Sequence, residues 1–326
     1  MTRAFTSTFS RSPIDSQLTI RSLDLLDLPT LYRLRGEAVS LDTARVLTRG
    51  NPLGAVSLLA YMNPQRHVYS AISNNDGAVL LGGVIHTNGD TFARLLYLAP
   101  ASQTDHPDLA ELIEILSAES AAWGAFHVLA ELDENHPLFA ALRRTGFSAY
   151  ARQRMWDVSA LGGLGAKPSW PRARSVDLPA VQSLYHQIVP PLLQPIEPAP
   201  RRASGFICNQ GGPCYASTST GMSGVVVFPL IHPDAANVPD KIRSLIECLP
   251  NRGGRPVYVC VRTYQSWLEH VLEDLGAKPG PQQAVMVKHM TRLVKDEQAV
   301  RARQPAGVTV QPTHMSRFDH KGKPQE

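Results

Sequence analysis

Apolar residues along this chain recur at two spacings, and the order in which those spacings appear divides it into two similar halves. Leu18 to Arg21 alternates as a short strand. Asp24 or Asp27 then caps a predicted helix, Pro29 suits its first turn, and Leu28, Leu31 and Leu34 line one face. A second helical stretch is predicted over 40–62, broken at Gly50-Asn51-Pro52. Strands follow over 68–73, 79–87 and 91–98, separated by Asp76-Gly77 and Asn88-Gly89. Such dipeptides suit tight hairpins, so the three strands form an antiparallel meander. Pro107 opens a long helix with Leu109, Leu112, Ile113 and Leu116 on one face. A buried strand spans 126–132, Asn135 caps a helix that runs to Arg144 and stops at Gly146, and a last strand spans 147–158.

After a glycine-rich linker, 159–169, the order returns in reduced form. A strand near Arg172 leads to a helix from Asp177 to about Leu193, which must bend or end at Pro190-Pro191. Strands over 205–209, 213–218 and 224–231 precede a helix over 239–249, a strand over 257–262, a helix over 264–275 and a strand over 284–290. The segment FHVLAEL with ENHPLFAALRRTGF in the first half parallels VYVCVR with TYQSWLEHVLEDLGA in the second. A repeat at a period of ~140 residues means two similar domains, not a solenoid. The domains are placed at 17–158 and 170–294, and 1–16 and 295–326 are read as disordered ends.

Composition adds exclusions. Apolar residues make up 43% of 326, enough for two cores. The net charge of +4 gathers at the ends, with Lys295, Arg301, Arg303, Arg317, Lys321 and Lys323 in the tail, so nucleic acid is not expected as a partner. The longest apolar stretch, Val225 to Ile231, is far below the ~20 residues that cross a bilayer, so no membrane association is expected. Of four cysteines, none forms a C-x-x-C pair and no zinc spacing is completed, so no metal is expected and a reducing cytoplasm is. Cys248 and Cys260 read as core residues. Cys208 and Cys214 flank Gly211-Gly212 at a hairpin, where they pair, bind metal or stay free.

The element order, with Asn135 at a helix start and Gly146-Phe147 after it, resembles the GNAT acyl-CoA N-acyltransferase family. The second half keeps Gly276 but has Gln265 and Ala277 where Asn and Phe are expected, so it resembles a degenerate copy. The fold implied is α/β with a mixed sheet, as two tandem GNAT-like domains. The function implied is transfer of an acyl group from acetyl-CoA or another acyl-CoA directly to an amine, on a small molecule or a protein. The alternative is a catalytically inactive GNAT-like protein that binds a small molecule or a partner.

In that family the cofactor lies where two strands splay apart, with its pyrophosphate at the start of the long helix. The resemblance therefore assigns the backbone of Tyr97, Leu98 and Ala99 to the pantetheine arm. It assigns the loop Gln103, Thr104, Asp105 and His106 to phosphate, and Asn135 to positioning the cofactor. The family's glycines are missing there: with Gln103 opening the motif, His106 and Asp108 hold the glycine positions, and the second-half stretch from His232 to Pro239 has none. The tyrosine that often protonates the leaving thiolate is replaced by Leu142 and Leu272. Glu37, His86 and Glu131 are candidate catalytic bases. Arg262, Tyr264 and Trp267 gather at a strand-to-helix junction as a second-half site, or else pack as an ordinary amphipathic turn.

Overall fold

A computed structural model describes residues 20–54, 64–75, 77–161, 170–249 and 253–290. The first half runs β1 (Ile20–Ser22), α1 (Leu28–Leu34), β2 (Val39–Ser40), α2 (Thr43–Arg49), β3 (Arg66–Asn75), β4 (Ala78–Thr87), β5 (Phe92–Ala99), α3 (Asp108–Ala122), β6 (His127–Asp133), α4 (Pro137–Arg144) and β7 (Ser148–Asp157). The second runs α5 (Leu178–Ile188), β8 (Phe206–Cys208), β9 (Cys214–Thr220), β10 (Val225–Ile231), α6 (Val238–Cys248), β11 (Val257–Arg262), α7 (Trp267–Asp274) and β12 (Lys278–His289). Positions 162–169 of the linker, the two ends placed by the sequence, and positions 55–62 of the predicted second helix lie outside the described residues, while Ser159–Leu161 of the linker form a short 3-10 turn.

Local chemistry moves several boundaries. The helix after Asn135 is capped by His136, whose Nδ1 accepts from the Leu138 N–H at 3.1 Å. Pro137 fixes the first helical residue, so the cap falls one position later than Asn135. Helix α5 ends at Ile188, well short of Leu193, because the residue before a proline avoids the helical region. The predicted strand at 172–174 is reduced to a single bridge, Arg172 to Phe206. Strand β12 begins six residues before position 284, with a register break between Pro279 and Gln282 where prolines cannot donate to the ladder. Strand β2 was not anticipated: it is only two residues long.

The twelve strands among the described residues belong to one sheet, ordered β1-β3-β4-β5-β6-β12-β7-β11-β10-β9-β8, with β2 on β5. Each half's last strand therefore pairs with the other half's penultimate one. β12 lies between β6 and β7, and β7 lies between β12 and β11. The cores repeat this exchange. Ala284 and Met286 of β12 pack with Leu112, Leu116 and Leu142 in the first core, and Trp156 of β7 packs with Val227, Ile242 and Leu272 in the second.

Tyr97 is buried against this sheet, its hydroxyl donating to Ser70 Oγ at 2.9 Å, and its ring lies over Gly83. A Cβ at Gly83 would stand 2.5 Å from Tyr97 Cε1. Gly83→Ala is expected to destabilise the protein by about 1–3 kcal/mol, the usual effect of overpacking. Chemical denaturation checks it, and an unchanged midpoint would mean that the ring has room to move.

Candidate functional site

Two parallel pairs in the sheet open in the same way. β5 pairs with β6 only from Phe92 to Arg94, and β10 pairs with β11 only from Val225 to Val227. Beyond those residues each pair diverges, leaving backbone groups to be satisfied.

In the first half the main chain itself fills the opening. The Leu41 N–H donates to the Leu96 carbonyl at 3.0 Å, and the Leu41 carbonyl accepts from the Glu131 N–H at 2.8 Å. Val39 and Ser40 pair with Leu98 and Tyr97. The backbone assigned to a pantetheine arm at Tyr97 and Leu98 thus faces β2, and Leu41 is 1% exposed.

In the second half a single side chain does the same work. Gln265 Oε1 accepts from the Ile231 N–H at 3.0 Å and Nε2 donates to the Pro229 carbonyl at 2.9 Å. Gln265 stands at the position that corresponds to Asn135, and Pro229 at that of Leu96, counting from the paired ends. Beside it lies a cavity of about 170 Å³ whose wall includes Tyr185, Glu197, Phe228, Cys260, Arg262 and Tyr264.

Glu197 organises that wall. Its Oε1 accepts from the Tyr150 hydroxyl at 2.8 Å, its Oε2 accepts from the Tyr264 hydroxyl at 3.0 Å, and Arg262 Nη2 lies 3.4 Å from Oε1. Its main-chain carbonyl accepts from the Tyr185 hydroxyl. Burial first, and the Glu197 charge second, push the Tyr264 hydroxyl far above the ordinary phenol range, and burial does the same to Tyr150. Both hold their protons at neutral pH. Burial works against the Arg262 charge, but Glu197 and its other neighbours more than offset this and hold the guanidinium ionised. Its Nη1 is buried without a hydrogen-bond partner.

Arg262 also connects to a buried network at the join of the halves. Nη2 is 3.9 Å from Glu131 Oε1, which Arg94 Nη1 approaches to 3.1 Å, while Glu131 Oε2 accepts from the Thr43 N–H at 3.1 Å. Burial would raise the Glu131 carboxyl, but Arg94 and Arg262 hold it below its ordinary value. Burial raises the neighbouring Asp42. Gln153 of β7 donates to Gln283 of β12 at 3.1 Å, and Thr43 Oγ1 donates to the same Gln283 oxygen at 3.0 Å.

The residues predicted from sequence are therefore dispersed. Arg262 and Tyr264 share the second-half cavity, whereas Trp267 packs against the second core. Glu131 belongs to the joining network, Glu37 has an exposed side chain, and His86 sits at the closed end of β4, stacked with His67 and Trp123 at 6.2 and 6.3 Å. Gln103 and Thr104 line a gap of only about 10 Å³. Asp105 pairs with Arg144 at 2.8 Å, and His106 Nδ1 accepts from the Asp108 N–H at 3.2 Å. The Asp108 carboxylate takes the Ser73 hydroxyl at 2.6 Å, placing negative charge at the start of α3. Asn135 is exposed on an open cleft of about 720 Å³ with Phe139, Arg143 and Arg152. The start of α6 is also covered: the Ala236 N–H donates to the Gly211 carbonyl at 2.7 Å.

The repeated order, with a parallel pair opening in each half, makes this a mixed α/β fold of two similar tandem units. No family model matches the chain, and no curated protein does. Among solved structures it is similar to a GCN5-related N-acetyltransferase from Sphaerobacter thermophilus, at 10% identity and a TM-score of 0.49, over 83% of this chain and 95% of that one. It is also similar to a tandem GNAT protein from the clavulanic acid biosynthesis pathway, at 13% identity and a TM-score of 0.48, over 84% and 98% of the two chains. An acetyltransferase of the GNAT family from Colwellia psychrerythraea matches at 12% identity and a TM-score of 0.42, over 83% and 99%. Among the described residues, no helix is long and apolar enough to cross a membrane, and no three His, Cys, Asp or Glu side chains gather as a metal site.

Proposed function

We propose that the chain is an acyl-CoA-dependent N-acyltransferase that works through its second half. The observation that carries this reading is the amide of Gln265 in the β10–β11 opening. A carboxamide holds the Pro229 carbonyl and the Ile231 N–H, and a pantetheine arm presents the same donor and acceptor. A side chain can rotate out of the way, whereas Leu41 in the first half is fixed by main-chain bonds on both sides.

Acyl-CoA supplies the thioester. Arg262 Nη1, buried and unpartnered, is the donor for a carbonyl oxygen on which negative charge develops. Glu197 Oε2 accepts one proton of the incoming ammonium and passes it to solvent. The Tyr264 hydroxyl, 3.0 Å away, gives its proton to the leaving sulfur and is restored by the second proton that the acylated nitrogen loses. The amine acceptor enters beside Tyr185 and Phe228, whose rings suit an apolar or cationic amine.

Among the described residues neither helix start suits the nucleotide end, because the α3 start carries Asp105 and Asp108 and the α6 start lies under Gly211. Acetyl-pantetheine is therefore expected to bind within about threefold of acetyl-CoA, a difference of less than ~1 kcal/mol. Calorimetry measures it, with thermal stabilisation as a second readout. Glu197→Gln is expected to keep that binding and lower turnover of an amine panel by about 10²–10⁴-fold. Failure of both thioesters to bind, in the native chain and in Gln265→Ala, would end this reading. The same two helix starts, one acidic and one covered, leave a second reading, a GNAT-like binding protein without catalysis. Binding with no turnover of any amine would select it.

A further inference from the structure

Strands β8 and β9 place Cys208 directly opposite Cys214. Both side chains lie on the same face, in the second core with Phe206 and Ala216, while Ile207 and Tyr215 point to the other face. Directly opposed residues of an antiparallel pair have Cα atoms about 4.5–5.5 Å apart. That falls inside the ~4.4–6.8 Å range that a disulfide spans.

A cation stands beside Cys214. Lys241 Nζ lies 3.7 Å from its Sγ, while donating to the Gly211 carbonyl at 3.0 Å and the Gly212 carbonyl at 3.4 Å. Burial raises the Cys214 thiol and the Lys241 ammonium opposes that rise. β8 is three residues long and ends the sheet, so the oxidant reaches the two buried sulfurs when this edge hairpin opens locally.

We propose that Cys208 and Cys214 form a reversible intramolecular disulfide that fastens the 209–213 turn over the start of α6. The oxidant is a low-molecular-weight disulfide. The Cys214 thiolate attacks one of its sulfurs, breaking the S–S bond and releasing one small thiolate, which takes up the proton lost from Cys214. The Cys208 thiolate then attacks Cys214 Sγ in the mixed disulfide, releasing the second small thiolate, which takes up the Cys208 proton. Two protein thiols are oxidised and one small disulfide is reduced to two thiols. Lys241 is a positioning residue that holds charge beside Cys214. The closed bond keeps Gly211 against Ala236 and Gly212 against Ala235, where a Cβ on Gly212 would come within 2.9 Å of the Ala235 Cα.

The full chain, incubated with oxidised glutathione, is analysed by intact mass and peptide mapping under non-reducing conditions. The expected result is loss of two hydrogens, a single cross-link between the peptides carrying Cys208 and Cys214, and free Cys248 and Cys260. Cys208→Ser is expected to stop at a stable glutathione adduct on Cys214. In Lys241→Gln the pH profile of oxidation is expected to move to higher pH. A native chain that stays fully reduced, one that keeps a glutathione adduct with Cys208 present, or a cross-link through Cys248 or Cys260 would overturn the proposal.

Discussion

Produced alone, residues 1–161 are expected to show no cooperative unfolding transition, and the same is expected of residues 162–326. The first half without β12 loses the strand that joins β6 to β7, and β7 also loses β11. Ala284, Val285, Met286 and Val287 are each buried on β12. Larger apolar side chains of this kind contribute about 1.5–3 kcal/mol apiece, so losing the strand removes a sum comparable to the ~5–15 kcal/mol that stabilises a whole domain. Circular dichroism and amide dispersion in NMR spectra measure the outcome for each fragment. Mixing or co-expressing the two is expected to restore the folded spectrum. A sharp thermal transition in either fragment alone, as a monomer, would show that the exchanged strands are dispensable.

Replacing Glu131 carries the second large effect. Glu131→Ala leaves the partly buried Arg94 and Arg262 without their shared carboxylate and is expected to destabilise by about 2–4 kcal/mol. Denaturant midpoints measure this, and a loss below ~1 kcal/mol would mean that water or Glu197 compensates the arginines. The pH dependence separates charge from packing. The folded-state pKa of Glu131 lies below its ordinary 4.5, so its stabilisation is present above that value and is lost as pH falls through the folded one. Asp42 has the opposite sign. Its pKa is raised, so its contribution is greatest below its ordinary 3.8 and is lost as pH rises through the elevated value. Glu131→Gln is therefore expected to flatten the acid limb of the stability curve and to lessen the Asp42 contribution, because the Glu131 charge is one of the causes that raise Asp42.

The sequence held the elements better than their neighbours. β11 is predicted to its limits, since the run Val257 to Arg262 is bracketed by Pro256 and Thr263. The repeat and both helix–Gly–strand junctions were equally legible, because they depend on spacing within short windows. The exchange of β7 and β12 was not. Each reads as a strand of ordinary alternation, and nothing local says which strand lies beside it. The plug at Leu41 was hidden for a different reason, since two paired residues carry no period.

For the site, Arg262 and Tyr264 were found from their position at a strand end. Glu197 was missed because it stands in a proline-rich turn between Pro195 and Pro198 that reads as irregular. A single acid flanked by prolines after a short helix was the available signal. Tyr150 lies on β7 and reaches the site through its hydroxyl on Glu197, in the wall that the second half completes.

The shared strands also set a schedule for folding. His289 pairs with His127, 162 residues earlier, so the β6–β12 ladder brings together positions from opposite ends of synthesis. Contacts of such long range fold slowly, and until they form the unpaired edges of β6 and β7 invite association with other chains. At the ~5–20 residues per second of translation, a nascent first half waits roughly 7–26 seconds for its missing strand. Chaperone dependence during synthesis, and aggregation when translation stalls between the halves, follow from where β12 lies in the sheet.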